Sequence, residues 1–255
     1  MIIREREREY ILIPQHNHAF LSGKLATHFK KDFFKSEDHM EEVITAIYEH
    51  DRGWITLDQA PLWNEQKEAP FSFADYPLTP KLNQYRIGVD EIQEMSAYAA
   101  LLCSMHYCTF FSEAKDKHGL EFLKDEEIRQ KQIMEKVNRL DMELLHQHFR
   151  LLQVCDDISL YVCLNEPGAS KKNEHLWFKN GFSKSEPFND GRHPLYGKWI
   201  DQERISVRAF PFVNEFQTSL EYKVVSKADI NTKGLEHAYS ISPAHKQSLS
   251  FVKFK

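Results

Sequence analysis

The sequence predicts a mainly α protein, a helical body carrying a small antiparallel β appendage, and three observations lead there. From about residue 16 to 164 the apolar residues recur mostly at three-, four- and seven-residue spacing, the period of helices with one buried face. After residue 164 the texture becomes loop-like, as in "EPGASKKNEH" and "FNDGRHPLYG". Beyond those stretches, "RISVRAFPF", "TSLEYKVVSK" and "SLSFVKFK" alternate as strands do. The expected division is a helical domain over 1–165 and a loop- and β-rich appendage over 166–255 packed on it.

Taken in order, residues 2–13 alternate Arg and Glu before "YILI" and read as one strand with two fairly polar faces, available to the C-terminal sheet. Helices are expected near 17–30, 39–51, 90–112, 125–138 and 141–164. Between the second and third lies "QAPLWNEQKEAPFSFADYPLTPKLNQYRIG", with Pro61, Pro70, Pro77 and Pro80. So long a loop is uncommon in a compact domain unless it is a lid, a binding loop or disordered. Its aromatics Trp63, Phe71, Phe73, Tyr76 and Tyr85 argue against disorder.

Composition removes several classes. At 255 residues with 42% hydrophobic and 28% charged residues, the chain can bury a substantial core. A net charge of −5 leaves no basic footprint, so nucleic acid is not expected as the main partner. The charged start, "MIIREREREYILI", and the lack of any apolar run near the length of a membrane span predict a cytoplasmic protein with no membrane partner. Cys103, Cys108, Cys155 and Cys163 are too irregularly spaced for a disulfide scaffold or zinc knuckle. No Walker loop, G-x-G-x-x-G, G-x-S-x-G or H-E-x-x-H motif occurs.

The informative residues are histidines and aspartates in helical phase with apolar stripes. In "EEVITAIYEHD", His50 and Asp51 continue the face of Val43, Ile44, Ile47 and Tyr48. His18 shares a stripe with Leu21, Ser22, Leu25 and Phe29, whereas His16 falls off it. His106 continues the seam of Met95, Ala99, Leu102 and Cys103, and Asp156 sits between Leu152 and Leu160. One core-facing His is usually just a hydrogen-bonded core residue. A core-facing Asp needs a partner, because an unpaired buried carboxylate is expensive. Together His18, His50, Asp51, His106 and Asp156 supply three imidazoles and two carboxylates, a set suited to one or two divalent ions among Fe, Mn, Zn and Ni.

The order His … His-Asp … His … Asp resembles the HD-domain superfamily, helical metal-dependent phosphohydrolases and phosphodiesterases. In this chain the pattern is His18, His50-Asp51 and Asp156, with His106 as an additional ligand. More closely, "HAFLSG", "AIYEHDRGWITLDQAP", "YAALLCSMH" and "LLQVCDDISLYVC" are similar to a family of uncharacterised bacterial proteins, a domain of unknown function. The superfamily resemblance implies an HD-like helical bundle and points to Asp156 rather than Asp157 as the last ligand. Two-metal members usually show a further His before that ligand, and His118, His146 and His148 hold no clear seam position.

The resemblance implies hydrolysis of a small, phosphorylated substrate, with His106 as a ligand to a second ion or as general acid. Asp58, seven residues after Asp51, could accept a proton or orient water, and Arg52 could meet a developing anion. Both residues also suit plain local roles, Arg52 as a helix-end cation and Asp58 as a cap. Trp54 and the 59–89 loop are candidates for pocket wall and lid. Two competing readings are a di-iron HD-fold oxygenase and a non-catalytic scaffold that binds a metal, ligand or partner, with a homo-oligomer in view.

Overall fold

The computed structural model describes residues 1–137 and 140–254. The amino-terminal segment is a hairpin rather than one strand. β1 (Ile2–Glu5) and β2 (Glu9–Ile13) turn through Arg6–Arg8, where the alternating charges have nothing to bury, and pair antiparallel with Ile2 opposite Ile13. The helical body follows as α1 (Gln15–His28), α2 (Met40–Glu49), α3 (Ile55–Gln59), a two-residue hairpin of β3 (Trp63–Asn64) and β4 (Ala69–Pro70), α4 (Leu78–Met95), α5 (Ala97–Thr109), α6 (Lys117–Lys136) and α7 (Met142–Leu164). The remainder forms β5 (Tyr196–Trp199), β6 (Arg204–Arg208), β7 (Phe216–Ser226), α8 (Lys227–Lys233), α9 (Leu235–Ile241) and β8 (Ala244–Val252).

Six strands join in one curled, half-barrel sheet of order β1-β2-β7-β8-β6-β5, with β6 and β8 parallel and the other neighbours antiparallel. The chain is about 51% helical, and the architecture is α/β. This corrects the expected mainly α bundle with a small β appendage. The sheet is large because the amino-terminal hairpin pairs with β7, with Tyr10 opposite Val225, so strands from both ends of the chain share one ladder. Such pairing leaves no local signature. Both faces of β2 are covered, which is why Tyr10–Ile13 are all buried. Ile11 and Ile13 face the main core shared with the helices, while Tyr10 and Leu12 pack with Ile230, Leu235 and Tyr239 from α8 and α9.

Several helix boundaries also differ from expectation. The helix expected from residue 125 begins as α6 at Lys117, where the Asp116 carboxylate accepts the Gly119 N–H at 2.9 Å and caps it. The single helix expected over 90–112 is broken at Ser96, which is extended (φ −158°, ψ 124°) and whose Oγ accepts the Ala99 N–H at 3.2 Å, capping α5. The long Pro-rich stretch is not all loop, since α4 starts at Leu78 and takes Pro80 into its first turn, where no intrahelical donor is lost. The expected end of the fourth helix at residue 138 lies outside the described residues.

Glycines set the spacing of the helices that carry the site. A Cβ on Gly23 would lie 2.3 Å from the Tyr48 ring, so α1 and α2 approach closely only because residue 23 has none. Gly88 of α4 likewise sits against Gly53, where a Cβ would meet the Gly53 nitrogen at 2.6 Å. Among the described residues no helix is long and apolar enough to cross a membrane.

Candidate metal centre

Four helices converge on one polar cluster inside the main core. His18 lies on the buried stripe of α1 with Leu21, Ser22 and Leu25. His50 ends α2, and Asp51 (φ −111°, ψ 23°) leaves the helix for a 3-10 turn over Arg52–Trp54. His106 comes from α5 and Asp156 from the middle of α7. All five side chains are buried. Helical phase puts His18, His50, His106 and Asp156 there, whereas Asp51 is aimed inward by the turn that follows α2. Met95, expected on the His106 seam, lies instead on α4 and is exposed, so the seam runs through Ala99, Leu102 and Cys103 alone.

The hydrogen bonds orient the rings before any ion is considered. His50 Nδ1 is 2.8 Å from the Ile47 carbonyl, which can only accept, so Nδ1 carries the proton and Nε2 points inward. That Nε2 has no hydrogen-bond partner, and lies 3.4 Å from Asp156 Oδ1 and 3.8 Å from Asp51 Oδ2. His18 Nδ1 contacts Ser159 Oγ at 2.7 Å, and Ser159 donates to the Asp156 carbonyl at 2.9 Å. Ser22 Oγ donates to the same Ser159 oxygen at 2.7 Å, leaving His18 Nε2 facing Asp51 Oδ2 at 2.7 Å. His106 has both ring nitrogens buried without a partner, its Nε2 3.4 Å from Asp156 Oδ2. The rings meet edge to face, at 5.1 Å for His18 and His50 and 5.3 Å for His50 and His106.

The charges are mutually compensating. Burial disfavours the His50 imidazolium, yet Asp51 and Asp156 outweigh it and push the pKa up to about 9. Burial alone would raise both carboxylates. Against it, His50 and His18 hold Asp51 below the ordinary carboxylate range, and His106 and His50 hold Asp156 far below it. Two overlapping groups, His18–His50–Asp51 and His50–His106–Asp156, each place one ligand atom per residue within 4.8 Å of the others. The residues fit a divalent ion on an observation independent of ligand type: three imidazole nitrogens lack hydrogen-bond partners in a buried site, two of them facing Asp156 only at 3.4 Å. The oriented Nδ1 atoms of His18 and His50 are the outer hydrogen bonds that metal-binding histidines need.

A cavity of about 360 Å³ opens above the cluster, its floor including His18, Asp51, His106 and Asp156. The 59–89 stretch contributes Phe73, Ala74, Lys81 and Tyr85 to its walls. Trp54 does not line it; buried and packed, it donates its indole N–H to the Tyr85 hydroxyl at 3.2 Å. Asp58 and Arg52 are turned elsewhere. Asp58 pairs with the Met1 amino group at 2.6 Å and accepts the Gln15 N–H at 2.6 Å, while Arg52 pairs with Glu49 at 3.0 Å and Glu91 at 2.5 Å. Among the described residues, His16, His118, His146 and His148 belong to neither ligand group. His148 bonds the Tyr98 hydroxyl at 2.8 Å, and His118 and His146 are exposed.

Sequence reasoning missed Ser159 and undervalued Ser22, although the signal was present: Ser159 is three residues after Asp156 and Ser22 four after His18, on the same helical stripes. Lys81, Asp157 and Trp177, which also line the cavity, carried no such signal.

The fold and the cluster define an α/β protein with a buried His–Asp centre able to hold a metal ion. The chain belongs to the family described as protein of unknown function (DUF3891), whose model matches residues 1–227, from β1 to the end of β7. No curated protein and no solved structure matches it.

Proposed function

We propose that this protein is a metal-dependent hydrolase of small phosphorylated substrates, a phosphohydrolase or phosphodiesterase. The observation that carries the reading is the set of imidazole nitrogens of His50 and His106 that lack hydrogen-bond partners, buried beside Asp51 and Asp156, with His106 and both carboxylates lining the cavity. A bound divalent ion, one or two of Fe, Mn, Zn or Ni, would supply Lewis acidity toward a phosphoryl oxygen and lower the pKa of its water. His18, His50, Asp51, His106 and Asp156 would hold it. Ser159 and the Ile47 carbonyl fix the His18 and His50 rings, so the donor atoms need no reorganisation on binding. Of the three residues considered for proton and anion roles, His106 stays at the cavity floor and can serve as acid or ligand. Arg52 and Asp58 are engaged in pairs outside the cavity and serve local structure on this reading. The order His18, His50-Asp51, His106, Asp156 is similar to that of HD-domain phosphohydrolases and supports this reaction class. The six-stranded sheet lies outside that likeness.

The test is turnover of a panel of phosphomonoesters and phosphodiesters by metal-replete protein. The reading expects phosphate or alcohol release that EDTA abolishes and that His50→Ala lowers roughly a hundredfold or more. No turnover by metal-replete protein would contradict it. Two iron ions with a visible absorption band and dioxygen uptake would replace it with the oxygenase reading.

A further inference from the structure

The cavity above the cluster has two chemically different parts. Its floor is the cluster, while Phe73, Phe110 and Trp177 form an apolar wall. Trp177 is 56% exposed and Phe110 50%, so this wall reaches the protein surface. Phe73 and Trp177 come from distant segments, the 59–89 stretch and a 3-10 turn at Leu176–Phe178, and their rings meet edge to face at 6.2 Å. A half-buried ring and an exposed one, brought together from separate segments at a cavity rim, are a platform for a flat apolar group.

Lys81 is the one Lys or Arg among the described lining residues. Its Nζ donates to the Phe73 carbonyl at 3.4 Å, a long bond, and no carboxylate is in ion-pair contact with it among the described residues. Burial draws its pKa down, and Asp75 offsets only part of that. A half-buried ammonium with one weak acceptor has room for an anionic partner. The charge balance then limits what that partner is. Asp51 and Asp156 are engaged with the imidazoles, which leaves Lys81 opposed by Asp157 alone in the lining. The cluster and any ion it holds would face a phosphoryl group at the floor, which leaves Lys81 as the one further cation in the described lining, whose wall to the surface is apolar. A polyphosphate chain would find no second cation along that wall, whereas one phosphoryl group is matched.

We infer that the site takes a phosphoester with one phosphoryl group and a flat, apolar or aromatic substituent. Lys81 holds a non-bridging oxygen, and the Phe73–Trp177 rim packs the substituent. The assignment deepens the hydrolase reading, on which it rests for the cluster's part in holding the phosphoryl group. It does not need turnover to be tested.

The experiment is calorimetric titration of the full-length, metal-analysed protein with phenylphosphonate and methylphosphonate, two probes that cannot be hydrolysed. Phenylphosphonate should bind roughly tenfold tighter or more. Lys81→Met should weaken both probes by roughly tenfold, and Lys81→Arg should restore most of the loss. Trp177→Ala, at an exposed position, should erase the phenyl preference and leave methylphosphonate unchanged. Equal affinities for the two probes, no binding to metal-replete protein, or a preference untouched by Trp177→Ala would overturn the inference. So would unchanged binding in Lys81→Met. Should Lys81→Met fail to fold, the Trp177→Ala comparison and the wild-type preference still decide. Metal present with no Lys81 or Trp177 dependence sinks the substrate assignment alone. Metal absent, with that dependence intact, sinks the hydrolase reading alone.

Discussion

Stripped of metal, the protein should lose stability as the pH rises through the alkaline range, because His50 keeps its proton in the folded state well beyond the point at which the unfolded chain releases it. The folded pKa of about 9 lies above the ordinary imidazole value of 6.5, owing to Asp51 and Asp156, which outweigh the burial that opposes the charge. A group whose pKa is raised by folding contributes its full stabilisation below the unfolded value and loses it as pH climbs through the folded one. The gap corresponds to something on the order of 3 kcal/mol between pH 6.5 and the region above pH 9. The assay is urea unfolding of EDTA-treated protein at pH 6.5, 7.5 and 9.5, compared with His50→Gln. Asp157, raised to about 7 by burial and by Asp156, also titrates nearby, and the variant subtracts its contribution. The wild type should lose on the order of 3 kcal/mol more than His50→Gln over this interval. Parallel pH profiles for the two proteins would refute the charge pairing in the cluster. Metal affinity should rise over the same interval, since a ligand imidazole must first give up its proton.

Further predictions follow from the contacts that position the cluster. Gly23→Ala should cost about 1–3 kcal/mol in urea unfolding, through overlap with the Tyr48 ring, and the double variant with Tyr48→Ala should recover part of it. Ser159→Ala should leave the fold intact but lower metal affinity by about 10–100-fold in competition with a chelator, because His18 loses the partner of its Nδ1. Asp58→Asn should destabilise by about 3 kcal/mol, by uncoupling the buried pair with the Met1 amine, while metal content stays at the wild-type level. A loss of metal in that variant would show that Asp58 acts on the site after all.

The site was more legible in the sequence than the fold. His18 and Asp156 could be read because helical phase is a local property, set by Leu21 and Leu25 or by Leu152 and Leu160 within two turns. His50 and Asp51 were read as the inward end of the second helix, and the chain does aim both inward, although Asp51 has already left the helix. The sheet was less legible because its key pairings, such as Tyr10 with Val225, are set by the whole fold. β5 escaped notice since "YGKW" is short and contains a glycine, and the charges of Arg6–Arg8 disguised a turn as strand alternation. The cavity walls were illegible for a similar reason. Lys81 and Trp177 come from segments without clear periodicity, and only the folded chain brings them over the cluster.

Metal analysis of protein purified without added metal, on wild type, His50→Ala and Asp156→Ala, bears most directly on the central claim. The wild type should carry one or two equivalents of Fe, Mn, Zn or Ni per chain. Both variants should lose most of that metal while keeping the wild-type circular dichroism. Metal-free wild type, or a metal content unchanged by both substitutions, would contradict the centre built from His18, His50, Asp51, His106 and Asp156.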